Sequence, residues 1–282
     1  MIRFSAIFAI LAACAFGSSG QAREISVLFL GNSYTYLPDI GTPEEPGLPL
    51  LIKRLAESIE PGLRLRYDFN TPGGYTFEMH VKDADSVHLA GGSYDKVILQ
   101  GRSNEALELT PWWESIGNTG IKSFSVYLPK LLDMVLRSNN DVTLFVNWNW
   151  HPSNVHLRED HVGLFFPEGH PRAGQKWCGR DSVEFQSQID QSYVRATAGY
   201  PVRLSFVGDA WLFLQTEGAV DQDELYIPHD WSHPSLLGSY ITALVLTRDA
   251  LGLDISRATY VPNGVSRGQA RKILTALSQA GP

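Results

Sequence analysis

Cysteine is nearly absent. The 282 residues hold two, Cys14 and Cys178, and only Cys178 lies beyond the leader described below, so no internal disulfide is expected. Positive charge is also short, with 23 Lys and Arg against 30 Asp and Glu, for a net charge of −7. That balance argues against a nucleic-acid partner and against adhesion to anionic lipid. The apolar stretch Phe4–Phe16 is too short to span a bilayer comfortably. Several signatures are missing: His-Glu-x-x-His, Gly-x-x-x-x-Gly-Lys, Gly-x-Gly-x-x-Gly and the Gly-x-Ser-x-Gly elbow. No resident metal or cofactor is therefore expected. Neither an internal repeat nor a linker interrupts the chain, which reads as one domain over residues 23–282.

Residues 1–22 read as an export signal. Arg3 precedes the apolar stretch, and small residues lead to Gly20-Gln21-Ala22, with cleavage expected after Ala22. Loss of Arg3 takes the net charge from −7 to −8. Leu11-Ala12-Ala13-Cys14 also resembles a lipobox, which would make Cys14 an acylated N-terminus. The expected location is periplasmic or extracellular, free or lipid-anchored.

Short apolar runs at Ile25–Leu30, Leu63–Phe69, Lys96–Gln100, Val142–Trp148 and Val202–Val207 suit strands covered on both faces. Helix-like stretches alternate with them at Leu48–Glu60, Thr76–Ala84, Ile121–Arg137, Ser182–Ala198 and Pro234–Leu251. The alternation predicts a three-layer α/β/α sandwich on a parallel sheet. Pro234 is expected at the first position of the last helix, and Gly252 as its stop. Three connections are long: the Pro-rich loop after Ser33, the segment 102–120 with Trp112-Trp113, and an insertion at about 149–181. All follow strand carboxyl ends, where open α/β sheets bind ligands. The aromatic residues there could form a substrate platform or pack a small cluster of their own.

Two segments about 200 residues apart carry the chemistry. Ser33 ends the first strand run in Gly31-Asn32-Ser33, and Asp230 precedes His233 by three residues ahead of the last helix. A serine hydroxyl becomes nucleophilic when a histidine takes its proton and a carboxylate fixes that histidine's tautomer. Taken singly, each segment is also ordinary turn or capping chemistry.

In combination the chain resembles the SGNH (GDSL-like) hydrolase family. Leu30-Gly31-Asn32-Ser33-Tyr34-Thr35 is similar to its first block. Asn70-Thr71-Pro72-Gly73-Gly74-Tyr75 is similar to the second, and Val97 to Glu105, with Gly101 and Asn104, to the third. Asp230-Trp231-Ser232-His233-Pro234-Ser235 resembles the last. The resemblance implies a flavodoxin-like five-stranded sheet and a Ser33–His233–Asp230 triad. It further implies an oxyanion hole from the amides of Ser33 and Gly74 and the Asn104 side chain. Two residues rather than one separate Gly101 from Asn104, so Ser103 and Gln100 stand as alternatives; Gly73 adjoins Gly74.

The expected activity is hydrolysis of short acyl esters, O-acetyl above all, on a saccharide or other small ester. A lipid esterase, lysophospholipase or thioesterase is the alternative within the family. A non-catalytic carbohydrate-binding protein is the alternative outside it. Cys178 without a neighbouring motif reads as a packed side chain. His151, His156 and His161, with Asp160, match no recognised zinc spacing.

Overall fold

The computed structural model describes residues 23–37, 40–42 and 44–279. The expected export signal, residues 1–22 with Arg3 and Cys14, and also Pro38 and Pro43, lie outside the described residues.

In chain order the elements are β1 (Arg23–Leu30), α1 (Ser33–Tyr36), α2 (Gly47–Ile59), β2 (Leu63–Asn70), α3 (Phe77–Lys82), α4 (Ala84–Ala90), β3 (Lys96–Gln100) and α5 (Pro111–Ser115). They continue with α6 (Gly120–Val135), β4 (Val142–Val146), α7 (Ser182–Ala196), β5 (Arg203–Phe206), α8 (Val207–Thr216), α9 (Leu236–Asp249) and α10 (Arg267–Gln279). The five strands form one sheet in the order β2-β1-β3-β4-β5, parallel throughout. This is the flavodoxin-like order, which reverses direction between β1 and β3 and opens a crevice there. Leu30 at the end of β1 is in register with Asn70 on β2 and Leu99 on β3. Three chain exits thus meet at the crevice.

Strand periodicity divides the apolar side chains between two cores. Val27, Phe29, Ile98 and Phe145 face a layer built from α2, α8, α9 and α10. Leu28, Leu30, Val97, Leu99, Leu144 and Val146 face the layer of α3, α4, α6 and α7. Each fully buried Val, Leu, Ile or Phe contributes about 1.5–3 kcal/mol relative to exposure. With both faces covered, continuous apolar strands are what the architecture requires.

Helix α9 is enclosed on all sides, every residue from Leu237 to Thr247 being buried. Its start differs from expectation. Ser235 is the N-cap, its Oγ accepting from the Gly238 amide at 3.1 Å, while Pro234 lies outside and pairs with Tyr226. A hydroxyl that reaches a free helix amide makes a better cap than proline. Gly252 has φ +68° and its amide bonds to Arg248 O at 3.0 Å, closing the helix end. Helices α8 and α10 were not anticipated. The first follows β5 with no intervening turn residue, and the second buries only Ala270, Ile273 and Leu277.

Most aromatic residues of the long connections pack inward. Trp113, Trp150, Phe166 and Trp177 are buried. The ring centroids of Trp113, Trp150 and Trp177 lie 5.5–6.1 Å apart in edge-on pairs. Edge-to-face contacts of this kind add about 0.5–1.5 kcal/mol per pair. For these rings the packing alternative holds rather than the platform.

Candidate active site

Ser33 is the first residue of α1, at the crevice. Asn32 caps that short helix, its Oδ1 accepting from the Tyr34 amide at 3.1 Å. The other arm of Asn32 reaches across the crevice, Nδ2 donating to Tyr75 O at 2.9 Å. Its backbone N–H donates to Gln100 Oε1, also at 2.9 Å. One residue therefore ties the exits of β1, β2 and β3 together just before the hydroxyl. Gly31 is held to glycine by space, because a Cβ there would lie 2.6 Å from Thr35 Oγ1 and 2.9 Å from Gln100 Oε1.

The Ser33 hydroxyl donates to His233 Nε2 at 2.8 Å, across 200 residues of sequence. His233 Nδ1–H donates to Asp230 Oδ2 at 2.6 Å, which leaves Nε2 as the acceptor. Asp230 Oδ1 accepts from the amides of Ser232 and His233 at 2.8 and 2.9 Å and from the Ser232 hydroxyl. Burial favours the protonated acid, but the bonds from His233 and Ser232 outweigh it and hold the carboxyl well below the usual range.

The loop carrying this pair is conformationally costly. His229 and Trp231 have φ of +73° and +58°, the left-handed region that bulky side chains rarely enter. Groups from the exit of β4 hold it there. Trp148 Nε1 donates to Ser232 O at 3.0 Å, Asn154 Nδ2 to Asp230 O at 3.1 Å, and the His151 amide to Trp231 O at 3.0 Å. The His151 ring stacks on Trp231 at 4.4 Å, and its Nε2–H donates to Asp223 at 2.9 Å. Beneath the site runs an aromatic column. Trp211 stacks on Trp148 at 4.3 Å, Trp148 on Tyr34 at 4.6 Å, and His233 meets the Tyr34 ring edge-on at 5.1 Å. Burial pushes the Tyr34 hydroxyl up to about 12, so it stays protonated. Nothing in the sequence marks Tyr34, Trp148, His151, Asn154 and Trp211 as supports of this site, because each works through a tertiary contact that leaves no local pattern.

Of the expected oxyanion donors, Ser33 N–H is an uncapped first-turn amide, Gly74 N–H has no partner among the described residues, and Gly74 takes φ +74°. Asn104 is buried, and its side chain has no hydrogen-bond partner among the described residues. Of the alternatives, Gln100 is engaged: its Oε1 accepts from Asn32 and Thr35, and its Nε2 donates to Gly101 O. Ser103 is buried near the Tyr34 hydroxyl. Beside Asn104 opens a cavity of about 350 Å³, with Thr76, Arg102, Glu105 and Asn118 in its wall. Glu105 is buried without a cationic hydrogen-bond partner, and burial pushes its carboxyl up to about 8. Asn118 Oδ1 is buried and unpartnered.

The remaining candidates separate. His151 belongs to the loop support. His161 Nε2–H donates to His156 Nδ1 at 3.0 Å, since His161 Nδ1 already accepts from Gly163 N–H, and Asp160 pairs with Arg158. No group of three or more His, Cys, Asp or Glu among the described residues is arranged to hold a metal. Cys178 is buried, and burial pushes its thiol up to about 11, which suits a packed, unreactive side chain.

No family model matches this chain, and no curated protein matches it. Solved structures do. A DUF4886 family protein from Bacteroides uniformis is 15% identical, with 91% of this chain and 94% of that one covered and a TM-score of 0.63. LAE5, an alpha/beta hydrolase enzyme from the metagenome of Lake Arreo, Spain, is 15% identical over 80% of this chain and 94% of its own, at TM-score 0.56. Axe2, an acetylxylan esterase from Geobacillus stearothermophilus, is 15% identical over 83% and 98%, at 0.55. At these identities the likeness establishes the shared fold.

Proposed function

We propose that this protein is an exported serine esterase that removes short acyl groups, acetyl above all, from saccharides. The observation that carries the reading is the continuous relay from Ser33 Oγ through His233 to Asp230, at 2.8 and 2.6 Å.

The chemistry follows from the protonation states. Ser33 Oγ attacks the ester carbonyl carbon as its proton passes to His233 Nε2, and Asp230 stabilises the resulting imidazolium. Negative charge builds on the carbonyl oxygen, and the Ser33 and Gly74 amides and the Asn104 side chain, none of them bonded elsewhere among the described residues, are the donors assigned to it. Each such donor is worth about 10²–10³ in turnover. The tetrahedral intermediate collapses as His233 returns the proton to the departing alkoxide, leaving an acyl group on Ser33. A water, deprotonated by His233, then attacks that acyl carbon. The acid departs and the serine hydroxyl is restored.

Two features favour a saccharide as the alcohol. The cavity that Asn104 lines carries the guanidinium of Arg102, the amide of Asn118, the carboxyl of Glu105 and the hydroxyl of Thr76 beside Met79, a mixture of hydrogen-bonding and apolar surface that a sugar ring engages together. An acetylxylan esterase and acetyl-xylooligosaccharide esterase variants are also among the structures that share the fold. The test uses p-nitrophenyl esters. Wild type is expected to prefer acetyl over octanoyl, and Ser33→Ala to lose about 10⁵-fold or more in kcat with unchanged circular dichroism. Full activity in folded Ser33→Ala refutes the serine mechanism, and a strong octanoyl preference refutes the saccharide assignment.

A further inference from the structure

The peptide unit joining Gly31 to Asn32 is gripped at both ends by buried side chains. Its N–H donates to Gln100 Oε1 at 2.9 Å, and its carbonyl accepts from His80 Nε2 at 3.0 Å. His80, on α3, is 0% exposed. A carbonyl oxygen can only accept, so Nε2 carries the hydrogen and Nδ1 is bare. The bare nitrogen accepts from the Ser86 hydroxyl at 2.8 Å, and Ser86 Oγ in turn accepts from Asn70 Nδ2 at 2.8 Å. Asp83 Oδ2 accepts from Asn70 Nδ2 and from the Ser86 amide, at 2.7 and 2.8 Å. Asn70 O closes the loop by accepting from Gly31 N–H at 3.1 Å. The acceptor-only Gly31 carbonyl therefore dictates the tautomer of His80, and the Ser86 hydroxyl, turned to donate to Nδ1, holds the ring in place.

We propose that His80, held in place by Ser86, is a positioning residue that aims the Ser33 hydroxyl and amide by fixing the carbonyl of Gly31. The inference rests on Ser33 being the nucleophile. Rotation of the Gly31–Asn32 unit would carry Asn32 and both Ser33 groups with it, and misplacement of a reacting group by about 1 Å costs on the order of 10²-fold. The device is insensitive to pH over the working range. Burial drives the His80 imidazole down to about 4, so it stays neutral while His233 does the proton transfers.

Three substitutions separate aiming from mere packing. His80→Gln keeps an N–H within reach of Gly31 O, His80→Asn keeps only the Ser86 side, and His80→Leu keeps neither. The expected result is that Asn and Leu lower kcat about ten- to a hundredfold with KM nearly unchanged. Gln should stay within about threefold of wild type, although all three melt at lower temperature. The pH–rate profile should keep its shape in every variant. Should the His80 variants fail to fold, Ser86→Ala is the milder probe, expected to lower kcat severalfold at constant KM. Folded Asn or Leu variants with wild-type kcat, a Gln variant no better than Asn, or an unaltered Ser86→Ala each overturn the proposal. Wild type unreactive towards both esters and a fluorophosphonate instead overturns the serine reading, and this inference with it.

Discussion

The two halves of the candidate site are held in opposite ways. The Ser33 turn sits at the convergence of three strand exits, its backbone bonded to the buried side chains of Gln100 and His80. The Asp230–His233 loop lies on the rim, with the Asp230 side chain 35% exposed and both neighbours of Asp230 in left-handed conformations. The sheet supplies the first geometry directly, since parallel strands in register end together. The second is imposed from outside by Trp148, His151 and Asn154. The Ser33 hydroxyl can thus be placed by secondary structure, whereas the Asp230–His233 pair needs tertiary restraint to offset about 1–3 kcal/mol for each unfavourable backbone state.

The comparison yields a graded series of outcomes. Asp230→Asn removes the carboxylate that fixes the His233 tautomer and should lower kcat by about 10⁴, measured on p-nitrophenyl acetate. Gly31→Ala drives a methyl group to 2.6 Å from Thr35 Oγ1 and should disturb the nucleophile's turn. It is expected to cost about 1–3 kcal/mol in urea unfolding and ten- to a hundredfold in kcat. Trp231→Gly relieves the φ of +58° but deletes the stack on His151. If the stack holds the loop, kcat falls about tenfold while stability changes by less than about 1 kcal/mol, the two effects offsetting. Unchanged kcat would mean that the backbone bonds to Trp148, His151 and Asn154 suffice.

A separate outcome concerns stability against pH rather than turnover. Burial raises Glu105 to about 8, and burial together with the neighbouring Asp209 carboxylate raises Asp190. A carboxyl raised in the folded state holds its proton where the unfolded chain has lost it. Its stabilising effect is therefore full below the ordinary carboxylate range and is lost as pH climbs to about 8. The melting temperature should decline across that window, and Glu105→Gln should flatten the slope, by at most about 1.4 kcal/mol per pH unit.

The order of elements and the parallel sheet were legible in the sequence because strands covered on both faces must be continuously apolar. Ser33, Asp230 and His233 stood out because they sit at strand–helix junctions with characteristic neighbours. His80 did not, since nothing in Phe77–Lys82 signals that its imidazole meets a carbonyl 49 residues earlier. The aromatic insertion was ambiguous for a different reason. Trp150 and Trp177 would read alike as a ligand platform or as a core, and only packing against Trp113 and Phe185 decides. Pro234 misled because a proline at a helix start is usual, while the adjacent Ser235 supplied the stronger cap.

Covalent labelling by a fluorophosphonate, read by intact mass and peptide mapping, probes the Ser33–His233 relay most directly. The relay predicts one adduct, on Ser33, lost in Ser33→Ala and slowed by orders of magnitude in His233→Ala. An adduct elsewhere, or labelling that persists in Ser33→Ala, contradicts it.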